Sequence, residues 1–113
     1  MEEVKGIFEA QVKRLQESQF LVLYWAAESE GRGVKYNITN AFDDLKSAGL
    51  TRTKQTAVAS VMGLETLCFI DLREEHNRKN IYITNFGAQA LKEMVVNRMF
   101  EAKKSSFLME VSK

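Results

Sequence analysis

No proline occurs among the 113 residues, and no stretch is rich in glycine and serine. There is also no internal repeat and no low-complexity segment. Nothing therefore reads as a linker, and a chain of this length fits one domain, 1–113, with a modest core. A single cysteine, Cys68, excludes an internal disulfide framework and a Cys-rich zinc site. With nothing basic beside it to lower its pKa, Cys68 reads as a small buried apolar residue. The only histidine, His76, falls in an expected turn, with no Cys or second His to complete a metal site. No apolar run is long enough to span a bilayer. The acidic, amphipathic start MEEVKGIFEAQVKRLQ lacks the basic opening and apolar centre of a secretory signal. The expectation is a cytoplasmic protein, prokaryotic or viral.

Signs of catalysis are equally scarce. Asp43 and Asp44 are adjacent, so a helix points them to different faces and they form no carboxylate pair. Neither a G-x-x-x-x-G-K-[ST] loop nor a G-x-G-x-x-G turn is present. Nothing places His76 beside a nucleophile. The reading is of a protein that is not an enzyme and takes no cofactor and no metal.

What is present is a core-forming composition and an uneven charge distribution. Hydrophobic residues make up 45%, including seven Phe, three Tyr and one Trp, so the chain is not a disordered one. Net charge is only +1, but residues 1–30 carry three basic and six acidic groups, whereas residues 31–56 carry five basic and two acidic. A local patch matters more to an anionic partner than the sum does.

Val4, Ile7, Phe8, Val12 and Leu15 recur at helical spacing and predict an amphipathic first helix. QFLVLYWAAESE is apolar almost all round and predicts a central second helix, capped by Ser18 and ended by GRG. YNITNAFDDLKSAGL predicts a third, with Thr39 or Asn37 as cap, Ile38, Phe42 and Leu45 inward, and Gly49 in the turn that follows. A fourth helix, about 52–66, starts at Thr51 or Thr53, with Val58, Val61, Leu64 and, as a further candidate, Met62 facing inward. LCFIDLR and IYIT predict two strands around a charged tip, EEHNRKN. Thr84 caps one last long helix, running to the end at 112. Its stripe of Phe86, Ala90, Leu91, Met94, Val95, Arg98, Met99 and Ala102 exceeds what one small core covers.

Three helices, a turn, a fourth helix and a hairpin make an α+β, mostly helical chain with the order of a winged helix-turn-helix. The core is 18–84, flanked by terminal helices 1–17 and 85–112. The pattern resembles the MarR-type winged-helix transcription regulators in three stretches. These are SQFLVLYWAAESE, AGLTRTKQTAVASVMGLETLCFIDLR, and the strand-to-helix junction ITNFGAQAL, where a Thr caps and a Gly sits three residues on. Small archaeal and viral winged-helix dimers fit the size as well. The resemblance implies a homodimeric, sequence-specific regulator of transcription that binds double-stranded DNA.

The residues suit that partner. The outer half of the fourth helix is short and hydrogen-bonding, a shape that fits the major groove. Arg52 and Lys54 stand near its start for phosphates or guanine, Gln55 for adenine, and Thr53, Thr56 and Ser60 for phosphates or bases; Ala59 allows close approach. His76, Asn77, Arg78 and Lys79 on the wing, about 73–80, reach for backbone or minor groove. Lys35 and Tyr36 add phosphate contacts before the third helix. Dimerisation falls to Val4, Ile7, Phe8 and Val12 with Leu91, Met94, Val95, Arg98, Met99 and Ala102. The alternative is a winged helix used for protein binding without DNA, because fold does not decide function. No small-molecule effector is legible.

Overall fold

A helix that is apolar all round must be surrounded, and α2 (Glu17–Gly31) is: Phe20, Leu21, Val22, Leu23, Trp25, Ala26 and Ser29 are all buried. The computed structural model describes residues 2–111, with side chains from residue 6 onward. α1 (Glu2–Lys13) precedes α2 and adds Val12 to the core, with Leu15 in the loop beyond it. Phe8 meets Phe69 edge-on, ring centres 6.1 Å apart. α2 begins one residue before the expected cap. Gln16 opens it, its backbone N–H donating to the Gln19 side-chain carbonyl at 3.0 Å. Ser18 turns instead to Ser60, with the two hydroxyl oxygens 3.0 Å apart.

α3 (Ile38–Ser47) starts on a reciprocal pair. Asn37 Oδ1 accepts from the Asn40 N–H at 2.8 Å, and Asn40 Oδ1 accepts from the Asn37 N–H at 3.0 Å. It buries Ile38, Ala41, Asp44 and Leu45, while Phe42 is half-buried. Gly49, at φ +79°, supplies the left-handed residue of the turn into the next helix. α4 (Lys54–Thr66) is capped by Thr53, whose hydroxyl accepts from the Thr56 N–H at 3.2 Å. Its inner face is Ala57, Val61 and Leu64; Val58 is half-buried. Met62, an inner candidate by spacing, is 40% exposed.

The chain leaves α4 through Cys68 at φ +64°. That left-handed step swings the thiol outward, so Cys68 is exposed where the sequence predicts burial. β1 (Ile70–Glu75) and β2 (Arg78–Ile83) pair antiparallel, Ile70 opposite Ile83 and Glu75 opposite Arg78. Only His76 and Asn77, both left-handed at φ +52° and +65°, form the turn, the signature of a two-residue hairpin. The rest of the expected tip, Glu74–Glu75 and Arg78–Asn80, lies in the ladder. The hairpin is fixed at its base. Ile81 N–H donates to the Tyr36 carbonyl at 2.7 Å, and Asn37 bridges Asn80.

α5 (Asn85–Val96) is capped by Thr84, as its sequence predicts, the hydroxyl accepting from Gly87 N–H at 3.0 Å. The same hydroxyl donates to the Cys68 carbonyl at 2.6 Å. The long final helix is a correction. It stops at Val96, and Arg98, at φ +51°, turns the chain, with Met99 N–H closing on the Met94 carbonyl at 3.0 Å. Residues 99–105 cross back over α2, and a short α6 (Ser106–Val111) follows. Tertiary partners outweigh helix propensity here. Phe100 packs on Phe20 (5.7 Å between rings), and the Trp25 indole N–H donates to the Lys103 carbonyl at 2.7 Å. The buried Asp44 carboxylate accepts from Ser105 and Ser106 hydroxyls and the Phe107 N–H.

The result is an α+β, mostly helical fold in which α3, α4, α5 and the hairpin all pack on α2. Among the described residues no helix is long and apolar enough to cross a membrane.

Candidate nucleic-acid interface

Because Ala57, Val61 and Leu64 face the core, the opposite ridge of α4 is set by helical geometry: Gln55, Ala59 and Met62, all exposed. On one flank of that ridge, Lys54, Val58 and Met62 follow at four-residue spacing and border the hairpin. On the other flank lie Thr56 and Ser60. Thr56 is exposed and its hydroxyl lies 2.9 Å from that of Thr53, so both serve the helix cap. Ser60 corrects the sequence reading. It is half-buried, its hydroxyl meets Ser18, and its carbonyl accepts from Gln19 Nε2 at 3.4 Å. It braces α4 against α2. Arg52, in the turn before α4, is exposed.

A cleft of about 570 Å³ lies between α4, the start of α3 and the hairpin tip. Lys54, Arg78 and Lys79 supply three cations to its wall, and Asn37, Thr39, Asn40 and Asn77 supply amides and a hydroxyl; Ile38, Val58 and Met62 complete it. Among the described residues no carboxylate lines it. Lys54 Nζ donates to the Thr39 hydroxyl at 3.3 Å, which holds the ammonium beside the α3 N-terminus. Three basic side chains on one concave surface attract an anion. Thr39, Asn40, Val58 and Met62 enter the site only through the fold. Asn37 is legible as a cap, but its place beside the hairpin tip depends on the Asn37–Asn80 bridge, which no local pattern announces.

A second cluster surrounds Tyr82 and adjoins the cleft: Glu75 stands opposite Arg78 in the ladder, and a neighbouring hollow is lined by Lys35, Asn37, Asn40, Glu75 and Arg78. Lys35 Nζ donates to the Tyr82 hydroxyl at 2.7 Å and lies 3.5 Å from Glu75. The Arg73 guanidinium sits over the Tyr82 ring, 4.4 Å from its centre. Glu75 accepts from Asn80 Nδ2 at 2.7 Å and from the Tyr82 hydroxyl. These two bonds, Asn80 first, hold the Glu75 carboxyl down at about 2 against an ordinary 4.5. Lys35 is raised above its ordinary value, chiefly by the Tyr82 bond. Lys35 thus serves the hairpin through Tyr82 and Glu75. Glu75, the acidic residue nearest the turn, is tied down by these bonds and stands opposite Arg78 in the ladder.

A depressed carboxylate stabilises the fold above its unfolded pKa, and that contribution disappears as pH falls through the folded value. Titrating the Glu75 side chain by NMR is therefore expected to give a midpoint near 2, with loss of hairpin order between about pH 4.5 and 2. In Tyr82→Phe the midpoint moves back toward 4.5. An ordinary midpoint in the unaltered protein contradicts this bonding.

Tyr36 is a second correction. It is 2% exposed and donates to Asp44 at 2.6 Å, so it belongs to the core and cannot meet an external phosphate. Burial, reinforced by Asp44, pushes its phenol well above the usual range. His76, Asn77, Arg78 and Lys79 are exposed at the tip, as expected.

Of the residues expected to join two chains, Val12 and Met94 are buried within this one and are not available to a second. Phe8, Leu91 and Met99 are half-buried against the core. Arg98 and Ala102 are exposed, in the turn after α5 and the segment beyond it. The Val4 side chain lies outside the described residues. Ile7 and Val95 remain open, at 60% and 53% exposure, and Phe86 and Val96 join them.

Compared with protein families, curated proteins and solved structures, the chain matches none.

Proposed function

We propose that the chain is a winged helix-turn-helix protein that binds double-stranded DNA as a homodimer and regulates transcription. In this reading α3 and α4 are the helix-turn-helix, α4 lies in the major groove and the hairpin is the wing. The observation that carries it is the cleft in which Lys54, Arg78 and Lys79 converge beside the polar ridge of α4. Gln55 is the base-reading residue of that ridge, able to make a bidentate pair with adenine. Arg52, Lys54, Arg78 and Lys79 position the duplex through its phosphates. Dimerisation rests on Ile7, Val95 and Val96, large apolar side chains that stay in water in a single chain.

Selection from a pool of random duplexes tests this. The expected product is a two-fold-related sequence whose half-sites are centred about one helical turn, ~10 bp, apart. Gln55→Ala then binds the selected site roughly ten- to a hundred-fold more weakly, the effect of losing a base contact worth about 1–3 kcal/mol, and binds random duplex as before. A pool with no enrichment overturns the proposal. The protein-binding alternative draws on the net charge of only +1 and on the exposed Phe86, and it takes precedence on that result.

A further inference from the structure

The ridge of α4 ends on an anomaly. Met62 is a large apolar side chain, 40% exposed, in a cleft whose charged lining among the described residues is Lys54, Arg78 and Lys79. Ala57, Val61 and Leu64 fill the inner face of the helix without it. The half-buried Val58 precedes it by one turn on the same flank, so the two make a small apolar step between Lys54 and the hairpin tip. The exposed part of this step, chiefly Met62, is not needed to fill the core, and it sits where charge complementarity brings a polyanion.

The major groove of DNA presents one apolar feature, the C5 methyl group of thymine. An unbranched thioether adapts to such a methyl without demanding fixed geometry. Met62 lies seven residues beyond Gln55 on the same ridge, about 10 Å along the axis at 1.5 Å per residue. That distance corresponds to about three base-pair steps of 3.4 Å.

We propose that Met62, with Val58 beside it, is a specificity-determining contact for the C5 methyl of a thymine about three base pairs from the base that Gln55 reads. This rests on the reading of α4 as the major-groove helix. It adds an apolar selection at a position where that reading by itself assigns only polar contacts.

The test uses a duplex that the unaltered protein binds, with each thymine in turn replaced by deoxyuridine, which deletes only the methyl group. One replacement, about three steps from the base whose contact Gln55→Ala abolishes, is expected to weaken binding about four-fold, the size expected for one buried methyl group. Met62→Ala binds the thymine duplex equally weakly and is indifferent to that replacement. Because Met62 is exposed, the variant keeps its fold, checked by circular dichroism. Binding that no replacement weakens, or a replacement that weakens Met62→Ala as much as the unaltered protein, overturns this inference and leaves the reading of α4 standing. Absence of duplex binding altogether overturns both.

Discussion

Gly87→Ala is expected to cost about 3 kcal/mol or more, enough to remove a large share of the stability of a domain this size. The reason is space, not backbone freedom. A Cβ built on Gly87 would stand 1.9 Å from the Phe69 carbonyl oxygen and 2.9 Å from Ile83 Cγ1. The first of these is backbone, and it cannot swing aside. Phe69 is held there because its carbonyl accepts from the Thr84 N–H at 3.1 Å, in the same junction where Thr84 caps α5 and grips Cys68. Moving it breaks the seam joining the start of the hairpin to the start of α5. Gly63 is the control. Its Cβ would meet only Gln19 Nε2, at 2.8 Å, the end of a flexible side chain. Gly63→Ala, inside α4, trades that small adjustment against a helix propensity gain of about 1 kcal/mol and should come out near neutral. Urea unfolding midpoints of the two variants check the contrast. A Gly87→Ala protein as stable as the original would mean that the junction is not closed as described.

Asp44→Ala is expected to be at least as damaging, by about 3–5 kcal/mol, because it leaves several buried donors without an acceptor. Asp44 is 1% exposed and receives the Tyr36 hydroxyl at 2.6 Å, the Ser106 hydroxyl at 2.8 Å, the Phe107 N–H at 3.0 Å and the Ser105 hydroxyl. One carboxylate therefore joins α3, the segment before it and the return strap. Without it the strap loses its main anchor, keeping the Trp25–Lys103 bond and the Lys103–Glu17 ion pair at 3.7 Å. Lys103 and Lys104 should then become trypsin-sensitive well before the rest of the chain. Asp44→Asn, which keeps the shape and one carbonyl, should fall between. If Asp44→Ala unfolds at the original urea concentration and its strap stays protease-resistant, the carboxylate is not the anchor.

The features legible in the sequence are those written locally. Asn37, Thr53 and Thr84 cap their helices because a cap is a matter of a few adjacent residues. α2 reads as central because no face of it is polar. The order of helices and strands as far as the start of α5 follows from the local pattern. What escaped depends on distant partners. The long apolar pattern after Asn85 continues helically on paper, and only Phe20, Trp25 and Asp44, far back in the chain, explain why it breaks at Arg98. Tyr36 looks like a polar surface residue until Asp44 is placed against it. Ser60 looks like part of an open face until Ser18 meets it. Cys68 was misplaced for a different reason. Its left-handed backbone step is unusual for any residue other than glycine, and nothing nearby signals it. The candidate site was legible in its basic members, Lys54, Arg78 and Lys79, and in the polar ridge of α4. The contribution of the α3 start, through Thr39 and Asn40, and the outward turn of Met62 were not, since both follow from how three elements meet.

The most direct test of DNA binding through the α4–hairpin face is the salt dependence of duplex affinity for the unaltered protein and for Arg78→Ala combined with Lys79→Ala. Each phosphate contact contributes about 0.9 to the slope of log K against log salt. The expected result is steep, salt-sensitive binding by the unaltered protein, and a slope shallower by about 1.8 in the double variant, for selected and random duplexes alike. No duplex binding at low salt, or an identical slope in the two proteins, would contradict the assignment of this face to DNA.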